Sequence, residues 1–265
     1  MALATRSEES LREVAEECEA LCGRPLVVLT DVTDQAAVQE LARRTVEHFW
    51  RIDVWVNNAG VILYGHFEKT PAEAYRQMIE TNLFGQIHGA RAALAHFQKR
   101  GTGVLINLSS VWGRLTSPYV SAYVTSKFVI RTFSECLRQE FAGDDDIHVV
   151  TILPQSVDTP IWRQAGNYSG RAARPVSPVS TPEAATRILR CAQDLPPGGN
   201  RSSSSTDSPG SATPNALRSC PSRRRQSRTR SIAISPTHEM HSIIGYSSAC
   251  GRCFLGTRPR SGTGR

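Results

Sequence analysis

The sequence contains no apolar run close to the roughly 20 residues that a membrane-spanning helix requires. It shows no secretory signal at its start, and its seven cysteines are an odd number at irregular spacing. These features argue against a secreted protein built on disulfides. We therefore expect a cytoplasmic protein with reduced thiols and no membrane partner.

Lysine and acidic residues are almost missing from one end of the chain. Residues 194–265 contain no lysine and only three acidic residues, against 11 arginines and 15 serines, so this tail has a formal charge of +8. The whole chain carries +7, which leaves −1 for residues 1–193. The basic balance therefore gives no reason to expect nucleic-acid or membrane-surface binding by residues 1–193. We expect those residues to fold and residues 194–265 to form a disordered Ser/Arg/Pro-rich tail.

Short apolar runs alternate with helical apolar stripes along residues 1–193. Four runs indicate buried strands, at 26–29, 54–56, 104–108 and 149–153. Apolar spacing predicts helices over 7–21, from Thr33 or Asp34 to about 49, and over 71–99, 121–141 and 182–192. Apolar strands that alternate with helices are typical of a parallel sheet covered on both faces, so the fold class is α/β.

Polar residues follow the carboxyl ends of these predicted strands. In open parallel sheets, ligands bind in the crevice beyond those ends. We therefore expect one crevice to collect four groups of residues: Asp31, 57–60, Ser109 with Ser110, and 154–159.

Tyr123 and Lys127 are four residues apart in a predicted helix, so both lie on one face. An ammonium group there would stabilise a phenolate and lower the pKa of Tyr123 toward working pH. A tyrosine of that kind suits proton transfer to or from a carbonyl oxygen, so Tyr123 is the candidate acid/base. Ser110 precedes it by 13 residues at a strand end, where a serine can also be a turn cap.

Three segments resemble the signature blocks of the short-chain dehydrogenase/reductases. They are residues 57–60 (NNAG), 106–113 (INLSSVWG) and 121–127 (SAYVTSK). The resemblance covers about residues 1–193 and implies a Rossmann-like, doubly wound parallel sheet. It also implies an oxidoreductase that moves a hydride between a nicotinamide and a small carbonyl or alcohol substrate, and a homodimer or homotetramer. Residues 167–171 and 175–178 are similar to a bacterial subgroup of unknown substrate.

The family's catalytic roles would fall on four residues of this chain. Tyr123 would exchange a proton with the substrate oxygen, which Ser110 would hold. Lys127 would bind the nicotinamide ribose and lower the pKa of Tyr123. Asn82 matches the asparagine that completes a proton relay through water, although it could also make only local hydrogen bonds in its helix.

The resemblance also implies cofactor contacts at the strand ends. Asp31 with Val32 matches the acid that contacts adenine, although an aspartate at this place is otherwise often a helix cap. Arg6 suits a ribose 2′-phosphate, which favours NADP over NAD, and a solvated arginine is the alternative. Gln155 stands where the family usually has a glycine. The other predicted contacts are Asn57, Asn58, Ala59, Gly60, Tyr123, Lys127, Pro154, Val157 and Thr159.

One part of a dinucleotide-binding fold has no counterpart in the sequence. Such a fold begins with a strand, a glycine-rich turn and a helix that binds pyrophosphate, but the first glycine here, Gly23, follows a predicted helix. Residues 1–5 resemble the end of the family's second strand, so we interpret the chain as N-terminally truncated. Losing a central strand would leave two internal sheet edges without partners. The tail resembles GC-rich DNA read in another frame, so we interpret it as frameshift-derived.

Three other interpretations stay open. The chain could be a catalytically inactive remnant or scaffold of the family. The basic cluster at residues 223–225 could contact nucleic-acid phosphates, but it lacks interleaved aromatics. His238, His241, Cys250 and Cys253 have spacings that could bind zinc, but such a set also arises by chance in a random tract. We favour the oxidoreductase, with no resident metal and no nucleic-acid partner.

Overall fold

A computed structural model describes residues 1–193 and 242–244 of the chain. Ten strands are described: β1 (Ala2–Thr5), β2 (Leu26–Leu29), β3 (Val54–Asn57), β4 (Leu63–Gly65), β5 (Gly103–Leu108), β6 (Ile147–Ile152), β7 (Ser156–Val157), β8 (Gly166–Tyr168), β9 (Val179–Ser180) and β10 (Ser242–Ile244). Six helices accompany them: α1 (Glu8–Ala20), α2 (Gln35–Phe49), α3 (Ala72–Ile79), α4 (Gly85–Arg100), α5 (Ser121–Glu140) and α6 (Pro182–Gln193). The predicted strands and helices are therefore confirmed to within two residues at most ends.

The main sheet has six strands in the order β2-β1-β10-β3-β5-β6. The pairs β1 with β2, β3 with β5, and β5 with β6 are parallel, as the apolar runs predict. All residues of β3 and β5 are buried, because helices cover both faces of the sheet. The α/β fold class is thus confirmed. Among the described helices, none is both long and apolar enough to span a membrane.

The position between β1 and β3 is taken by β10. This strand runs antiparallel to both neighbours, with Ile243 opposite Leu3 and Ile244 opposite Trp55. The expectation of two open edges is therefore wrong, because buried backbone groups need partners and an extended segment supplies them. The rest of the tail, with the basic cluster and the four candidate zinc ligands, lies outside the described residues.

Two side-chain oxygens fix where the first helices begin. Ser7 Oγ accepts a hydrogen bond from Ser10 N at 3.3 Å ahead of α1, and Asp34 Oδ1 accepts one from Ala36 N at 2.8 Å ahead of α2. Such caps satisfy backbone donors that a helix leaves without partners. Of the two predicted caps for α2, the structure uses Asp34.

The single helix predicted over 71–99 is interrupted in its middle. Residues Glu80–Phe84 form a π-helical stretch between α3 and α4. A π-helical turn widens a helix by one residue and occurs frequently at functional sites. Here the stretch carries Asn82, whose side chain is fully buried.

A buried polar network joins the sheet to the helices behind it. Asn57 Nδ2 donates to Asn107 Oδ1 at 2.8 Å and to Gln86 O at 3.0 Å, and Asn57 Oδ1 accepts from Trp55 Nε1 at 2.8 Å. Asn107 Nδ2 continues the network to Ser134 Oγ at 2.9 Å. Because both asparagine side chains find several partners here, the network ties β3 and β5 to α4 and α5.

We predict that Gly89→Ala lowers the free energy of unfolding by about 3 kcal/mol, near the upper end of ordinary overpacking costs. A Cβ at Gly89 would lie 2.0 Å from Asn57 Oδ1 and 2.7 Å from Trp55 Nε1. The higher helix propensity of alanine would otherwise favour the variant by about 1 kcal/mol. Urea unfolding followed by circular dichroism measures the change.

The matched control is Gly143→Ala, because a Cβ at Gly143 would meet no atom within 4 Å. Equal stability of the two variants would contradict the close approach of α4 to β3.

Candidate active site

Ser110, Tyr123 and Lys127 lie together at the carboxyl end of the sheet. Ser110 follows β5, and the other two residues occupy neighbouring turns at the start of α5. All three are buried, and Lys127 Nζ lies 5.4 Å from the centroid of the Tyr123 ring. They line one small cavity of about 60 Å³, which we call the central cavity. The structure therefore brings the three predicted catalytic residues together.

Burial dominates the electrostatics of Tyr123. It raises the pKa of Tyr123 to about 12, although the neighbouring Ser110 hydroxyl acts in the opposite direction. The result is opposite to the lowering expected from the spacing of Tyr123 and Lys127. The reason is that burial removes the water that would solvate a phenolate. The phenol is therefore protonated at neutral pH and can donate a proton.

Lys127 is a buried amine held by the end of β5. Its Nζ donates to Leu108 O at 2.9 Å, and Gln86 Nε2 donates to the same carbonyl oxygen at 2.9 Å. Burial lowers the pKa of Lys127 to about 8. Ser109 Oγ donates to Lys127 O at 2.7 Å and so ties α5 to the strand end.

Asn82 holds the segment that follows β3 against α5. Its Nδ2 donates to Val61 O at 2.9 Å and to Ser126 Oγ at 3.2 Å, while its Oδ1 accepts from Val61 N at 2.8 Å. These bonds fix the backbone next to Gly60, which lines the central cavity. The side chain thus braces the wall of the site, and its part in a proton relay stays a prediction.

The predicted cofactor contacts fall into two neighbouring cavities. The central cavity is lined by Asn58, Gly60, Pro154, Val157 and Thr159 together with the three catalytic candidates. A larger cavity of about 500 Å³, which we call the arginine cavity, is lined by Arg6, Asp31, Val32, Ala59 and Gly60. The two cavities share Gly60 and Ile161, so they adjoin.

Asn57 is the one predicted contact that the structure places elsewhere. Its amide is used within the buried network of β3, β5 and α4. Neighbouring side chains of a strand point to opposite faces, and Asn57 faces the helices rather than the cavities. The Asn57 side chain therefore has a role in the core, and its predicted contact with a cofactor stays a prediction.

Asp31 and Arg6 lie next to each other at the mouth of the arginine cavity. Arg6 Nη1 is 3.8 Å from Asp31 Oδ2, and both side chains are substantially exposed. Asp31 Oδ1 accepts from Thr33 N at 2.9 Å and from Thr33 Oγ1 at 2.7 Å. Burial would raise the pKa of Asp31, but these bonds and the Arg6 charge lower it overall. The carboxylate is thus ionised and held in place.

A third cavity, of about 250 Å³, adjoins the central cavity on the side away from Arg6. We call it the tryptophan cavity, because Trp112 and Trp162 line it. The Trp112 ring meets Tyr123 edge to face at 5.7 Å between centroids, and it lies 6.4 Å from the Trp162 ring. The position of Trp112 two residues after Ser110 could have indicated its role, whereas the sequence gives no signal for Trp162.

Comparison with known proteins agrees with this geometry. The family model described as short chain dehydrogenase matches residues 1–168. The chain is 32% identical over 196 residues to the uncharacterized oxidoreductase YxnA of Bacillus subtilis, covering 73% of this chain and 55% of that protein. It is also 32% identical over 165 residues to dehydrogenase/reductase SDR family member 7B of Rattus norvegicus. That match covers 62% of this chain and 50% of the rat protein. The chain thus spans about half the length of the curated relatives it matches.

Solved structures with the same architecture include two dehydrogenases. An alcohol dehydrogenase from Thermococcus sibiricus, complexed with 5-hydroxy-NADP, has a TM-score of 0.64 and 25% identity, covering 76% of this chain and 82% of its own. Serine dehydrogenase from Escherichia coli has a TM-score of 0.63 and 27% identity, and the match covers 76% of this chain and 83% of that enzyme. Since the family model matches well over half of the chain, this protein belongs to the short-chain dehydrogenase/reductase family.

Proposed function

We propose that the protein is an NADP-dependent oxidoreductase that moves a hydride between the nicotinamide and the carbon of a small carbonyl or alcohol substrate. The observation that carries this proposal is the burial of Ser110, Tyr123 and Lys127 in one cavity at the carboxyl end of the sheet. That cavity lies between the tryptophan cavity and the arginine cavity, which leaves room for a substrate on one side and a cofactor on the other.

The residues of the central and arginine cavities fit the nicotinamide and adenosine ends of a dinucleotide. Thr159 Oγ1 is buried in the structure without a hydrogen-bond partner, although a buried hydroxyl normally has one. A nicotinamide carboxamide would satisfy it, while Lys127 and Tyr123 would hold the neighbouring ribose. At the other end, Asp31 would accept from the adenine amino group and Arg6 would pair with a 2′-phosphate. The NADP-type ligand of the Thermococcus sibiricus relative supports this choice.

The chain's own side chains supply the proton chemistry. When bound in its reduced form, the nicotinamide would deliver the hydride to the substrate carbon. Tyr123 donates its proton to the substrate oxygen, and the Ser110 hydroxyl donates a hydrogen bond to that oxygen. The ammonium of Lys127, close to the ring of Tyr123, then stabilises the phenolate that remains.

The test is a titration of the full chain with NADPH and NADH, followed by nicotinamide fluorescence, and then turnover with ketones and aldehydes. We expect saturable binding of NADPH and carbonyl-dependent loss of absorbance at the nicotinamide wavelength. Failure to bind either dinucleotide would refute the proposal and favour an inactive member of the family.

We predict that Arg6→Ala raises the Kd for NADPH about tenfold and leaves the Kd for NADH unchanged. Loss of one charge-assisted contact to a phosphate costs about 1.5 kcal/mol at an exposed site, which corresponds to about a factor of ten. The control is Arg12→Ala, because Arg12 is equally exposed but pairs with Glu8 on α1 outside the arginine cavity. Equal weakening of both dinucleotides would contradict the assignment of Arg6 to the 2′-phosphate.

A further inference from the structure

The tryptophan cavity is a neutral and mostly apolar pocket. None of the described residues that line it carries a charged side chain. Its apolar walls include Trp112, Trp162 and Leu115, and its polar lining residues are Ser110, Tyr123, Gln155, Ser156 and Ser177. A ligand in this cavity would therefore meet neutral hydrogen-bonding groups and a larger apolar surface, but no charged lining side chain.

The two tryptophan rings offer apolar surface with fixed positions. Trp162 Nε1 donates to Val157 O at 2.8 Å, so its N–H is already used within the protein. Trp112 is held by its edge-to-face contact with Tyr123. Aromatic rings prefer other flat groups in stacked or edge-to-face arrangements, and such pairs contribute beyond the burial of area. The walls therefore favour a ligand with a flat apolar group.

The size of the cavity and its lack of charge limit the ligand further. At about 250 Å³ it is smaller than typical pockets for drug-sized ligands, which measure about 300–1,000 Å³. A carboxylate moved from water into this cavity meets no charged side chain among the described residues that line it, so its transfer is disfavoured. Sugar acids and amino acids are therefore poor candidates for this cavity.

We propose that the substrate is a small neutral ketone or aldehyde, or the corresponding alcohol, that carries one flat apolar group. This inference rests on the proposed function. The carbonyl oxygen lies at Ser110 and Tyr123, and the flat group packs against Trp112 and Trp162. In reduction the carbonyl carbon gains a hydride from the reduced nicotinamide and the oxygen gains the proton of Tyr123. The products are the alcohol and the oxidised nicotinamide.

Two probes of similar size separate charge from shape. Acetophenone carries a methyl group where benzoylformate carries a carboxylate, and both have one phenyl ring beside the carbonyl. With the full chain and NADPH, we expect kcat/KM to be at least about 30-fold higher for acetophenone, since an unpaired buried charge opposes binding of benzoylformate. A preference for benzoylformate would overturn the proposal.

A substitution at the edge of the cavity should reverse this selectivity. Leu115 lines the tryptophan cavity but is 58% exposed, so Leu115→Arg adds a cation without disturbing the core. We expect the ratio of kcat/KM for benzoylformate to that for acetophenone to rise about tenfold. Leu21→Arg is the matched control, since Leu21 is 47% exposed at the end of α1, outside the cavity. An unchanged ratio in Leu115→Arg would contradict the proposed position of the substrate.

Binding of the two probes can be measured without turnover, so the substrate class can be tested independently of the proposed reaction. Saturation-transfer NMR on the full chain should detect acetophenone and not benzoylformate at equal concentration, and Trp162→Ala should weaken the acetophenone signal. If NADPH binds and the chain reduces only charged ketones, the substrate class is wrong and the oxidoreductase stands. If acetophenone binds but no dinucleotide does, the cavity assignment stands and the proposed reaction is wrong. If neither probe binds, the substrate class is wrong.

Discussion

Replacing Tyr123 with phenylalanine is expected to lower kcat/KM for carbonyl reduction about 10³-fold, the middle of the range for general acid catalysis. The variant loses only one hydroxyl beside Ser110, so the fold and the cavity volume should persist. NADPH binding, measured by fluorescence, should change less than about threefold, because only one of the two ribose contacts is lost while Lys127 and Arg6 remain in place. A loss confined to kcat identifies a group that acts in the transition state.

The pH dependence of the reverse reaction gives a second signature of the same residue. Alcohol oxidation needs a proton acceptor, and burial raises the pKa of Tyr123 to about 12 in this structure. Only a minor fraction of phenolate therefore exists at neutral pH, and oxidation by the wild type should become faster as pH rises. This slope should vanish in Tyr123→Phe and persist in Tyr168→Phe, whose ring is exposed on β8. A wild-type activity that is independent of pH would contradict the acid/base role.

The sheet and its helices were predictable because their burial leaves a pattern in the sequence. Parallel strands with both faces covered read as apolar runs, and β5, which is buried throughout, ends at the predicted residue Leu108. The strand β10 leaves no such pattern, since it has three residues and pairs with segments far away in the chain. Its place in the sheet follows from the unpaired edges it fills and not from its own composition.

The site was predictable where residue type and local spacing decide the geometry. One helical turn places Tyr123 and Lys127 on the same face, and the end of β5 places Ser110 opposite them. The orientation of Asn57 could not be predicted, because a motif at a strand end does not indicate which face of the strand each side chain occupies. Trp162 was missed because the loop between β7 and β8 has no periodicity.

The pKa of Tyr123 could not be predicted from spacing because it depends on how much water reaches the phenol. An ammonium four residues away favours the phenolate, while burial of the ring opposes it. Spacing reveals the first effect alone. The structure shows that burial is the larger one here.

Replacing Lys127 with methionine should abolish most activity and at the same time stabilise the fold. Burial lowers the pKa of Lys127 from 10.5 to about 8, so the folded protein holds a poorly solvated ammonium at neutral pH. A shift of that size corresponds to about 3 kcal/mol, and loss of the Nζ hydrogen bond offsets about 1 kcal/mol of it. Leu108 O keeps the hydrogen bond from Gln86 Nε2, so the substitution does not leave this acceptor unpaired.

The expected result at pH 7 is an increase in the free energy of unfolding of about 2 kcal/mol, or about 5 °C in Tm. It should accompany a fall in kcat/KM of at least about 100-fold, because the phenolate of Tyr123 loses its neighbouring cation. Lys99→Met is the control, because Lys99 is exposed near the end of α4 and its removal should leave both quantities unchanged.

The gain in stability should shrink as the pH rises above about 8. The pKa of Lys127 is lower in the folded protein than in the unfolded chain, so between pH 8 and 10.5 the folded state has released a proton that the unfolded state still binds. The wild type therefore gains stability with rising pH across this window, whereas Lys127→Met lacks this contribution. Urea unfolding of both proteins at pH 7 and pH 10 measures the difference. A difference that stays constant would mean that Lys127 is not a buried amine with a lowered pKa. We expect the stability difference between the two proteins to disappear at pH 10 and the variant to be inactive at pH 7. This pair of results would show that Lys127 keeps its charge for catalysis and lowers the stability of the fold by doing so.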